Sequence, residues 1–429
     1  MKYLKLSFIL IFVFILSFFA HFTYAKTKLS DEDLYCTSDL VMDFESENIL
    51  FKKNSKTKVY PASTTKILTA ILAIEKLDLN KTITISKNAI DSTPYGSSVI
   101  YLKPQEVIST KDVLYGLLIK SGNDAANVLA EEVSGNIDDF VKLMNEKLKE
   151  IGCINTHFTN PHGFHDNEHY TTAYDMAKLM KYAMENDTFR KIVETKEYTI
   201  SATNLTAERI YQNTNKMFNE SYPKMYYEYV LGGKTGYTDE ARGTFIGYGK
   251  KDDKLVIVAA FNGSQNISGQ EGRFLDSITL FEYAFNNFNR YKIFDKDDYI
   301  FSIKDDNTNT EYTFSLDKDL YGLYNNDKFY TRYQINITNF NLENIYLNDK
   351  IGTLSMSAKG ESLDIEDKLY NLILTSKHTY IDYKDFKIFI YYILIFILSI
   401  IWLRLLVRII KPRKKKKAKK KKVVRNKNT

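Results

Sequence analysis

The feature that most constrains this chain is an apolar segment near its C-terminus. Residues 388–403 are broken only by Ser399, and the segment stays apolar as far as Ile410, apart from Arg404 and Arg408. About 23 helical residues, at roughly 1.5 Å each, span a bilayer with some tilt. A helix lying on the membrane surface would need a polar face, which is absent before Arg404. The sequence therefore predicts a transmembrane helix over residues 387–410.

The tail after this helix is strongly basic. Residues 411–429 contain 12 Lys and Arg and no acidic residue. Such a run could by itself be a nuclear address or a nucleic-acid arm. Beside a transmembrane helix, the positive-inside rule predicts that the tail is cytoplasmic, where anionic lipids would bind it. Everything from residue 26 to about 383 is then expected outside the cell membrane, where ATP is not available.

The N-terminus predicts export. Lys2 and Lys5 precede an apolar run that ends near Ala20, and Thr23-Tyr24-Ala25 supplies small residues for cleavage. This pattern is typical of a secretory signal peptide over residues 1–25. An uncleaved anchor helix is the alternative.

Charge and cysteine usage exclude several classes of protein. Residues 26–386 carry 42 basic and 53 acidic residues, a net charge of −11. An acidic body disfavours nucleic acid as a partner. Two cysteines in 429 residues exclude a disulfide scaffold and a zinc module built from cysteines. We expect Cys36 and Cys153 to be buried free thiols, with a disulfide between them as the alternative.

The middle of the chain predicts an α+β domain. Residues 40–44 and 49–51 form a hairpin pattern, and residues 244–248 and 255–261 form another, joined by a turn at 251–253. Between them lie helical patterns: an almost wholly apolar one over 67–77, one that starts near Ser109 or Thr110, and one over 137–148. From about residue 292 short alternating runs, such as 333–340 and 351–357, predict a small β domain with a turn at Lys359-Gly360.

The first motif with chemical meaning is Ser63-Thr64-Thr65-Lys66. Residues three apart share a helix face, so the Lys66 amine can reach the Ser63 hydroxyl and take its proton. The chain has other copies of this spacing, starting at Ser55, Ser221 and Ser315. Only the copy at Ser63 begins a buried helix, directly after Pro61, which suits a first helical turn. There the Ser63 N–H is one of the unpaired donors that can face an oxyanion.

Two further motifs follow. Ser121-Gly122-Asn123 is the first, and its second copy, Ser134-Gly135-Asn136, is better interpreted as a turn that ends a helix. Lys234-Thr235-Gly236 occurs once, after two glycines and before the second hairpin. On an edge strand, a Lys and a Thr hydroxyl can hold a substrate carboxylate, and glycine lets the substrate approach the backbone.

Together, in this order, the three motifs resemble the signature of penicillin-recognising serine enzymes. Longer segments resemble the serine D-Ala-D-Ala carboxypeptidases, which are the low-molecular-mass penicillin-binding proteins. The resemblance covers roughly residues 35–285, and residues 348–354 look like the family's β-sandwich domain. The segments that carry it are Pro61 to Lys66, Ser121 to Ala126, Asn160-Pro161-His162-Gly163-Phe164, His169 to Met176 and Lys234 to Thr238.

The resemblance implies an architecture in five parts. A catalytic domain with an antiparallel sheet and a helical subdomain would cover 26–288, and a β-sandwich would cover 292–378. The signal peptide at 1–25, the helix at 387–410 and the tail at 411–429 would complete the chain. The activity implied is removal of the terminal D-Ala from peptidoglycan stem pentapeptides, with β-lactams as inhibitors and without a metal or other cofactor.

The same resemblance assigns roles to individual residues. Ser63 would be the nucleophile and Lys66 its base, with the pKa of Lys66 lowered by burial and by the nearby Lys234. The N–H groups of Ser63 and Tyr237 would form the oxyanion hole. Ser121 would relay a proton to the leaving D-Ala, and Asn123 would position the substrate amide. The terminal carboxylate would be bound by Lys234, Thr235 and Gly236.

Three alternatives compete with this interpretation. A zinc peptidase could use His157, His162, His165 and His169, although their spacing fits no helical zinc motif. A β-lactamase would share the three motifs but would need a dedicated deacylating carboxylate. An inactive receptor would bind the wall peptide without releasing D-Ala. The sequence does not separate a carboxypeptidase from an endopeptidase that acts on cross-links.

Overall fold

The structure is a computed structural model that describes residues 29–296, 298–305, 308–325, 331–337, 350–360, 363–364, 368–379 and 383–410. The signal peptide and basic tail predicted from the sequence lie outside the described residues, as do residues 348–349. The helices are α1 (Lys66–Lys76), α2 (Lys87–Asp91), α3 (Thr110–Tyr115), α4 (Asn123–Ser134), α5 (Ile137–Ile151), α6 (Ala173–Met184), α7 (Asp187–Val193), α8 (Gly272–Asn287) and α9 (Tyr383–Ile410).

The strands fall before, between and after these helices. They are β1 (Cys36–Asp43), β2 (Ile49–Lys53), β3 (Thr82–Thr84), β4 (Val107–Ser109), β5 (Glu197–Ile200), β6 (Arg209–Gln212), β7 (Val230–Thr238), β8 (Arg242–Lys251), β9 (Lys254–Gly263), β10 (Asn289–Phe294), β11 (Phe301–Asp305), β12 (Thr310–Leu316), β13 (Leu320–Tyr324), β14 (Thr331–Ile337), β15 (Lys350–Gly360), β16 (Leu363–Asp364) and β17 (Lys368–Thr379).

An antiparallel sheet in the order β2-β1-β9-β8-β7 forms the centre of the fold. Both predicted hairpins are present, with β1 paired to β2 and β8 paired to β9. Alternate residues of β9 enter two different cores: Ile257 and Ala259 pack with the helical core, while Val256 and Val258 pack with residues of α8. Because both faces are covered, the strand reads as a continuous apolar run rather than an alternating one. Strand β7 is left at the edge of the sheet.

The helical subdomain is built around α1. Residues Lys66–Ala73 of this helix are all buried, which confirms the buried helix predicted from its composition. Helix α4 ends at Gly135 with φ of 79°, and Asn136 then caps α5 through its side chain. The second Ser-Gly-Asn copy is therefore a turn between two helices, as the sequence predicts, because glycine adopts the left-handed conformation without a Cβ clash.

The predicted helix near residue 110 is confirmed in its start but not in its continuation. The Ser109 side chain caps α3 by accepting from Asp112 N. After Tyr115 the chain continues as a π-helical segment over Gly116–Lys120, and Ser121 then has φ of 68°. A π turn interrupts the 3.6-residue period, so the periodicity could not predict it. Its consequence is to present Ser121 in a left-handed conformation at the end of a helix.

The chain divides into two compact units. Of the described residues, the first unit includes those up to Lys296 and those within Lys318–Ile337 and Thr353–Asn371, and in it β10 pairs with β13. In the second unit β12 pairs with β11 and with β17. Of the strand pattern predicted at 333–340, residues 333–337 lie in β14 and residues 338–340 lie outside the described residues; the pattern at 351–357 lies within β15. The predicted turn at Lys359-Gly360 is wrong: both residues pair with β16, so the chain reverses after them.

Both cysteines are buried free thiols, as expected from the sequence. Cys36 lies beside two acids, Asp39 and Asp276, whose ligand atoms and the Cys36 sulfur are within 4.8 Å of one another. Asp276 accepts from the backbone N–H groups of Tyr35 and Cys36. Burial, and then the charge of Asp276, raises the pKa of Asp39 well above its ordinary value. Burial at this position therefore favours the neutral form of the Asp39 carboxyl group.

Helix α9 coincides with the apolar segment predicted to span the membrane. Residues Lys387–Arg404 have a mean hydropathy of 2.0 and none of them is buried. By length and composition this helix can cross a bilayer.

Candidate active site

The first motif forms a tight turn that leads into α1. Residues Ala62–Thr65 make a 3-10 turn, with Pro61 before it and Lys66 as the first residue of α1. The side chain of Thr64 donates back to Pro61 O at 2.7 Å, which closes the turn. As the spacing predicts, Lys66 Nζ lies 2.8 Å from Ser63 Oγ.

The Lys66 amine is completely buried and has three polar neighbours. Besides Ser63 Oγ, these are Asn123 Oδ1 at 2.6 Å and the backbone oxygen of His162 at 2.7 Å. Burial, and then the charge of Lys234, lowers the pKa of Lys66 well below its ordinary value. A neutral amine has two N–H donors and one lone pair. The two carbonyl oxygens can take the donors, which leaves the lone pair for the Ser63 hydroxyl.

The second motif is held in place by a buried carboxylate. Asp124 accepts from Ile100 N at 3.0 Å and from Leu102 N at 3.0 Å, which fixes the loop against the preceding segment. Asn123 N donates to Ser98 O at 2.7 Å. These hydrogen bonds orient the side chain of Asn123 toward Lys66 and that of Ser121 toward β7. Asp124 received no role from the sequence, although it lies inside one of the segments that carry the family resemblance.

The third motif lies on β7, the edge strand. Lys234 Nζ lies 2.9 Å from Ser121 Oγ and 2.8 Å from Thr235 O, so it joins the second motif to the third. Burial, and then the charge of Arg273, lowers the pKa of Lys234 to about 7. Arg273 in α8 also donates to Gly236 O. No sequence motif predicts the role of Arg273, because the contact depends on how α8 packs on the sheet.

Gly236 is required by the close approach of β7 to the Ser63 turn. A Cβ atom at this position would lie 2.8 Å from Ser63 N and 2.4 Å from Thr244 Oγ1. Any larger residue would push the strand away from the Ser63 amide. Gly163, with φ of 82°, makes a similar approach from the other side, where a Cβ would lie 1.8 Å from Ala62 O.

An open cleft of about 420 Å³ lies over these motifs. Of the predicted site residues, Ser63, Asn123 and Tyr237 line it. Lys66, Ser121, Lys234 and Thr235 are buried and are not part of its lining. The other lining residues are Gly96, Ser97, Ser98, Gly163, Phe164, His165, Thr238, Asp239 and Glu240.

Three of the four clustered histidines, His157, His162 and His169, make hydrogen bonds that hold the loop beside the Ser63 turn. His169 Nδ1 accepts from Thr159 N at 3.0 Å, and its Nε2 lies 2.8 Å from Thr65 Oγ1. Burial lowers the pKa of His169 to about 3, so this ring is neutral. Nδ1 of His162 accepts from Phe164 N, and Nδ1 of His157 lies 2.7 Å from Glu168 O. These nitrogens are engaged in the loop's own hydrogen bonds.

Comparison with known proteins agrees with this geometry. The family profile described as D-alanyl-D-alanine carboxypeptidase matches residues 25–265, more than half of the chain. The chain belongs to this family of serine peptidases. It is 32% identical to the D-alanyl-D-alanine carboxypeptidase DacF of Bacillus subtilis over 66% of this chain and 72% of that protein. It is 31% identical to DacB2 of Mycobacterium tuberculosis over 57% and 81% of the two chains.

Solved structures show the same fold. The D-alanyl-D-alanine carboxypeptidase from Mycobacterium tuberculosis H37Rv has a TM-score of 0.55 and 29% identity, over 61% of this chain and 95% of that one. Penicillin binding protein 5 from Haemophilus influenzae has a TM-score of 0.64 over 81% and 99% of the two chains; at 24% identity it shows the fold alone. The chain is thus a serine-type carboxypeptidase, which is a hydrolase and a cell-wall enzyme. Its α+β fold is like that of the penicillin-binding proteins.

Proposed function

We propose that this enzyme removes the terminal D-Ala from peptidoglycan stem peptides through an acyl-enzyme on Ser63. The observation that carries the proposal is the 2.8 Å contact between Ser63 Oγ and a buried Lys66 amine whose pKa is lowered. An amine that is neutral near neutral pH can accept the serine proton, which makes the serine oxygen a competent nucleophile.

In the acylation step, Lys66 takes the proton of Ser63 and Ser63 Oγ attacks the carbonyl carbon of the penultimate D-Ala. The N–H groups of Ser63 and Tyr237 stabilise the oxyanion. The peptide bond then breaks, and Ser121 relays to the amine of the leaving D-Ala the proton that Lys66 took from Ser63, so that Lys66 is neutral again. Lys234, 2.9 Å from Ser121 Oγ, holds that hydroxyl in place.

Substrate is held on both sides of the scissile bond. Lys234, Thr235 and Gly236 bind the terminal carboxylate, and Asn123 orients the substrate amide. Two N–H donors of a charged Lys234 are used by Ser121 Oγ and Thr235 O, so the third can reach a carboxylate oxygen. Water then attacks the ester, releases the shortened peptide and restores Ser63. A β-lactam acylates Ser63 in the same way, but its leaving group stays tethered and deacylation is slow.

The same proposal includes the enzyme's place in the cell. Residues 1–25 direct export, 26–288 form the catalytic domain and 292–378 form a β-sandwich. Helix α9 spans the cell membrane once, over residues 387–410, and the 411–429 tail binds anionic lipids on the cytoplasmic side. The apolar character of Lys387–Arg404 supports the membrane span.

The proposal is tested with the purified full-length chain in detergent. We expect release of D-Ala from diacetyl-L-Lys-D-Ala-D-Ala that is unaffected by EDTA, and a persistent adduct of one equivalent in the intact mass after brief exposure to benzylpenicillin. Loss of activity with EDTA and its return with zinc would instead favour a metallopeptidase. Rapid repeated penicillin hydrolysis would favour a β-lactamase, and peptide binding without D-Ala release would favour a receptor.

The two lysines predict a bell-shaped pH dependence of kcat/KM. The acidic limb arises because Lys66 must be neutral, and the alkaline limb arises because carboxylate binding needs a charged Lys234, whose pKa is about 7. Replacing Lys234 by arginine keeps the charge at all these pH values. We therefore expect Lys234→Arg to lose the alkaline limb while it keeps the acidic one. An unchanged alkaline limb in this variant would assign that limb to another group.

A further inference from the structure

A thiol and two carboxyl groups converge inside the first of the two compact units, away from the cleft. Cys36 and Asp39 lie on β1, and Asp276 lies on α8, which packs against that strand. Each of the three residues is at most 1% exposed. Their ligand atoms lie within 4.8 Å of one another, and none of the three residues lines the cleft. These residues, which we call the β1–α8 cluster, take no part in the proposed reaction.

The carboxyl group of Asp39 points to a ligand. Neither of its oxygen atoms has a hydrogen-bond partner among the described residues, although the side chain is completely buried. Burial raises the pKa of this group well above its ordinary value, and the Cys36 thiol, a weak donor, offsets only part of that shift. A buried carboxyl group without partners is unfavourable, because it has lost its hydrogen bonds to water. A cation bound between the three side chains would supply the missing interaction.

The other two groups are already held in place. Asp276 accepts from Tyr35 N at 3.0 Å through one oxygen and from Cys36 N at 2.6 Å through the other. Each of these oxygens keeps a second lone pair that can bind a metal ion. The Cys36 sulfur is confined by β9, where a Cβ atom on Gly263 would lie 2.8 Å from it. Two of the three ligands are therefore oriented before a cation binds.

The donor set favours zinc among the common divalent cations. Magnesium and calcium prefer sites made of oxygen alone, whereas zinc binds cysteine sulfur together with carboxylate oxygen. Zinc bonds of about 2.0–2.3 Å place the ligand atoms of a tetrahedral site roughly 3.3–3.8 Å apart. The three ligand atoms are within 4.8 Å of one another, so a small inward movement of the side chains is enough.

The charge of such a site is nearly balanced. A thiolate and two carboxylates carry three negative charges, of which Zn²⁺ cancels two. Burial raises the pKa of all three groups, and the charge of Lys53 acts in the opposite direction on each of them. The Lys53 amine donates to Asp31 O at 2.8 Å and to Leu34 O at 3.1 Å, which holds this charge near the start of β1. When the ion binds, the protons of the three groups are released to solvent.

We propose that Cys36, Asp39 and Asp276 bind a structural Zn²⁺ ion that joins β1 to α8. Helix α8 also carries Arg273, one turn before Asp276, and Arg273 donates to Gly236 O on β7. The ion thus stabilises the helix that supports the edge strand of the active site, and it does not touch the reacting atoms. Two of its three ligands are carboxylates, which distinguishes the site from a zinc module built from cysteines.

Cobalt substitution tests the site directly, because a cobalt–thiolate bond gives a charge-transfer band and the chain has only two cysteines. The full-length enzyme is produced in medium supplemented with Co²⁺, so that the ion can bind as the chain folds, and is purified in detergent without a histidine tag. We expect about one equivalent of cobalt by elemental analysis, together with the charge-transfer band. Enzyme produced with Zn²⁺ should melt about 5 °C higher than enzyme produced in metal-depleted medium.

Two ligand variants and a matched thiol variant identify the residues responsible. Cys36→Ser and Asp39→Asn should each lose the charge-transfer band and the zinc-dependent rise in melting temperature. The control is Cys153→Ser, because Cys153 is also a buried free thiol, but its sulfur donates to the backbone oxygen of Asp175. This control should bind metal like the wild type. Release of D-Ala by each variant shows that it has folded.

The outcomes separate this inference from the proposed function. Wild-type enzyme without cobalt or zinc, or a charge-transfer band that persists in Cys36→Ser, would overturn the inference. An unchanged zinc-dependent melting temperature in the wild type would overturn it as well. In each of these cases, release of D-Ala by the metal-depleted enzyme would still support the proposed function, because the β1–α8 cluster lies outside the cleft.

Discussion

Replacing Ser63 by alanine is expected to lower kcat/KM for D-Ala release by at least about 10³-fold and to abolish the penicillin adduct. The reason is that Ser63 Oγ is the hydroxyl in contact with the Lys66 amine, at 2.8 Å. The neighbouring hydroxyl of Ser121 faces Lys234 Nζ at 2.9 Å and does not replace it. The measurements are a D-Ala release assay and the intact mass after brief exposure to benzylpenicillin.

A second serine supplies the matched control. Ser221 also begins a Ser-x-x-Lys sequence, but it is exposed and its N–H donates to Asn219 Oδ1 in a surface turn. Ser221→Ala should keep wild-type activity and a full adduct. An adduct that persists in Ser63→Ala would show that another residue is the nucleophile.

Replacing Lys66 by methionine is expected to slow acylation by about 10²- to 10⁴-fold, which is the usual effect of losing a general base. Methionine has a similar length but cannot accept the Ser63 proton. Acylation is followed by stopped-flow with a chromogenic cephalosporin. The control is Lys76→Met, at the exposed end of the same helix, which should acylate at the wild-type rate. If Lys66→Met acylated at the wild-type rate, Lys66 would not be the general base for Ser63.

Thermal unfolding separates this effect from a folding defect, and its pH dependence has a definite sign. The pKa of Lys66 is lower in the folded chain than in the unfolded chain, so protonation favours unfolding. The contribution of Lys66 to the free energy of unfolding therefore becomes less favourable as pH falls from about 10.4 toward the folded pKa. As pH falls, we therefore expect the melting temperature of the wild type to decrease relative to that of Lys66→Met. A difference in melting temperature that did not change with pH would show that the pKa of Lys66 is not lowered in the folded enzyme.

Much of the scaffold could be predicted from local patterns. The sequence predicted both hairpins of the central sheet, the buried helix α1, the start of α3 at Thr110 and the second Ser-Gly-Asn copy as a turn. Each of these depends on residues within a few positions of one another, through hydrophobic period, capping or turn chemistry. For the same reason the Ser63–Lys66 contact was predictable from a spacing of three residues.

Other features depended on contacts that no local pattern contains. The π-helical segment Gly116–Lys120 and the left-handed Ser121 break the period that predicts a helix. The turn placed at Lys359-Gly360 was wrong because local turn chemistry did not reveal their pairing with β16. Asp124 anchors the second motif from the position directly after it, yet its partners Ile100 and Leu102 are more than 20 residues away in the sequence.

The sequence by itself determined the residue types of the site, their order along the chain and the family to which they are similar, because each motif is short and contiguous. Only the tertiary structure decided how the motifs meet. Lys66 and Asn123 are 57 positions apart, and Ser121 and Lys234 are 113 apart, yet both pairs are in hydrogen-bond contact. The lowered pKa of each lysine likewise results from burial and from a second cation that is near in space but distant in the sequence. Burial and charge proximity are properties of packed elements, so they exist only once the sheet and helices have come together.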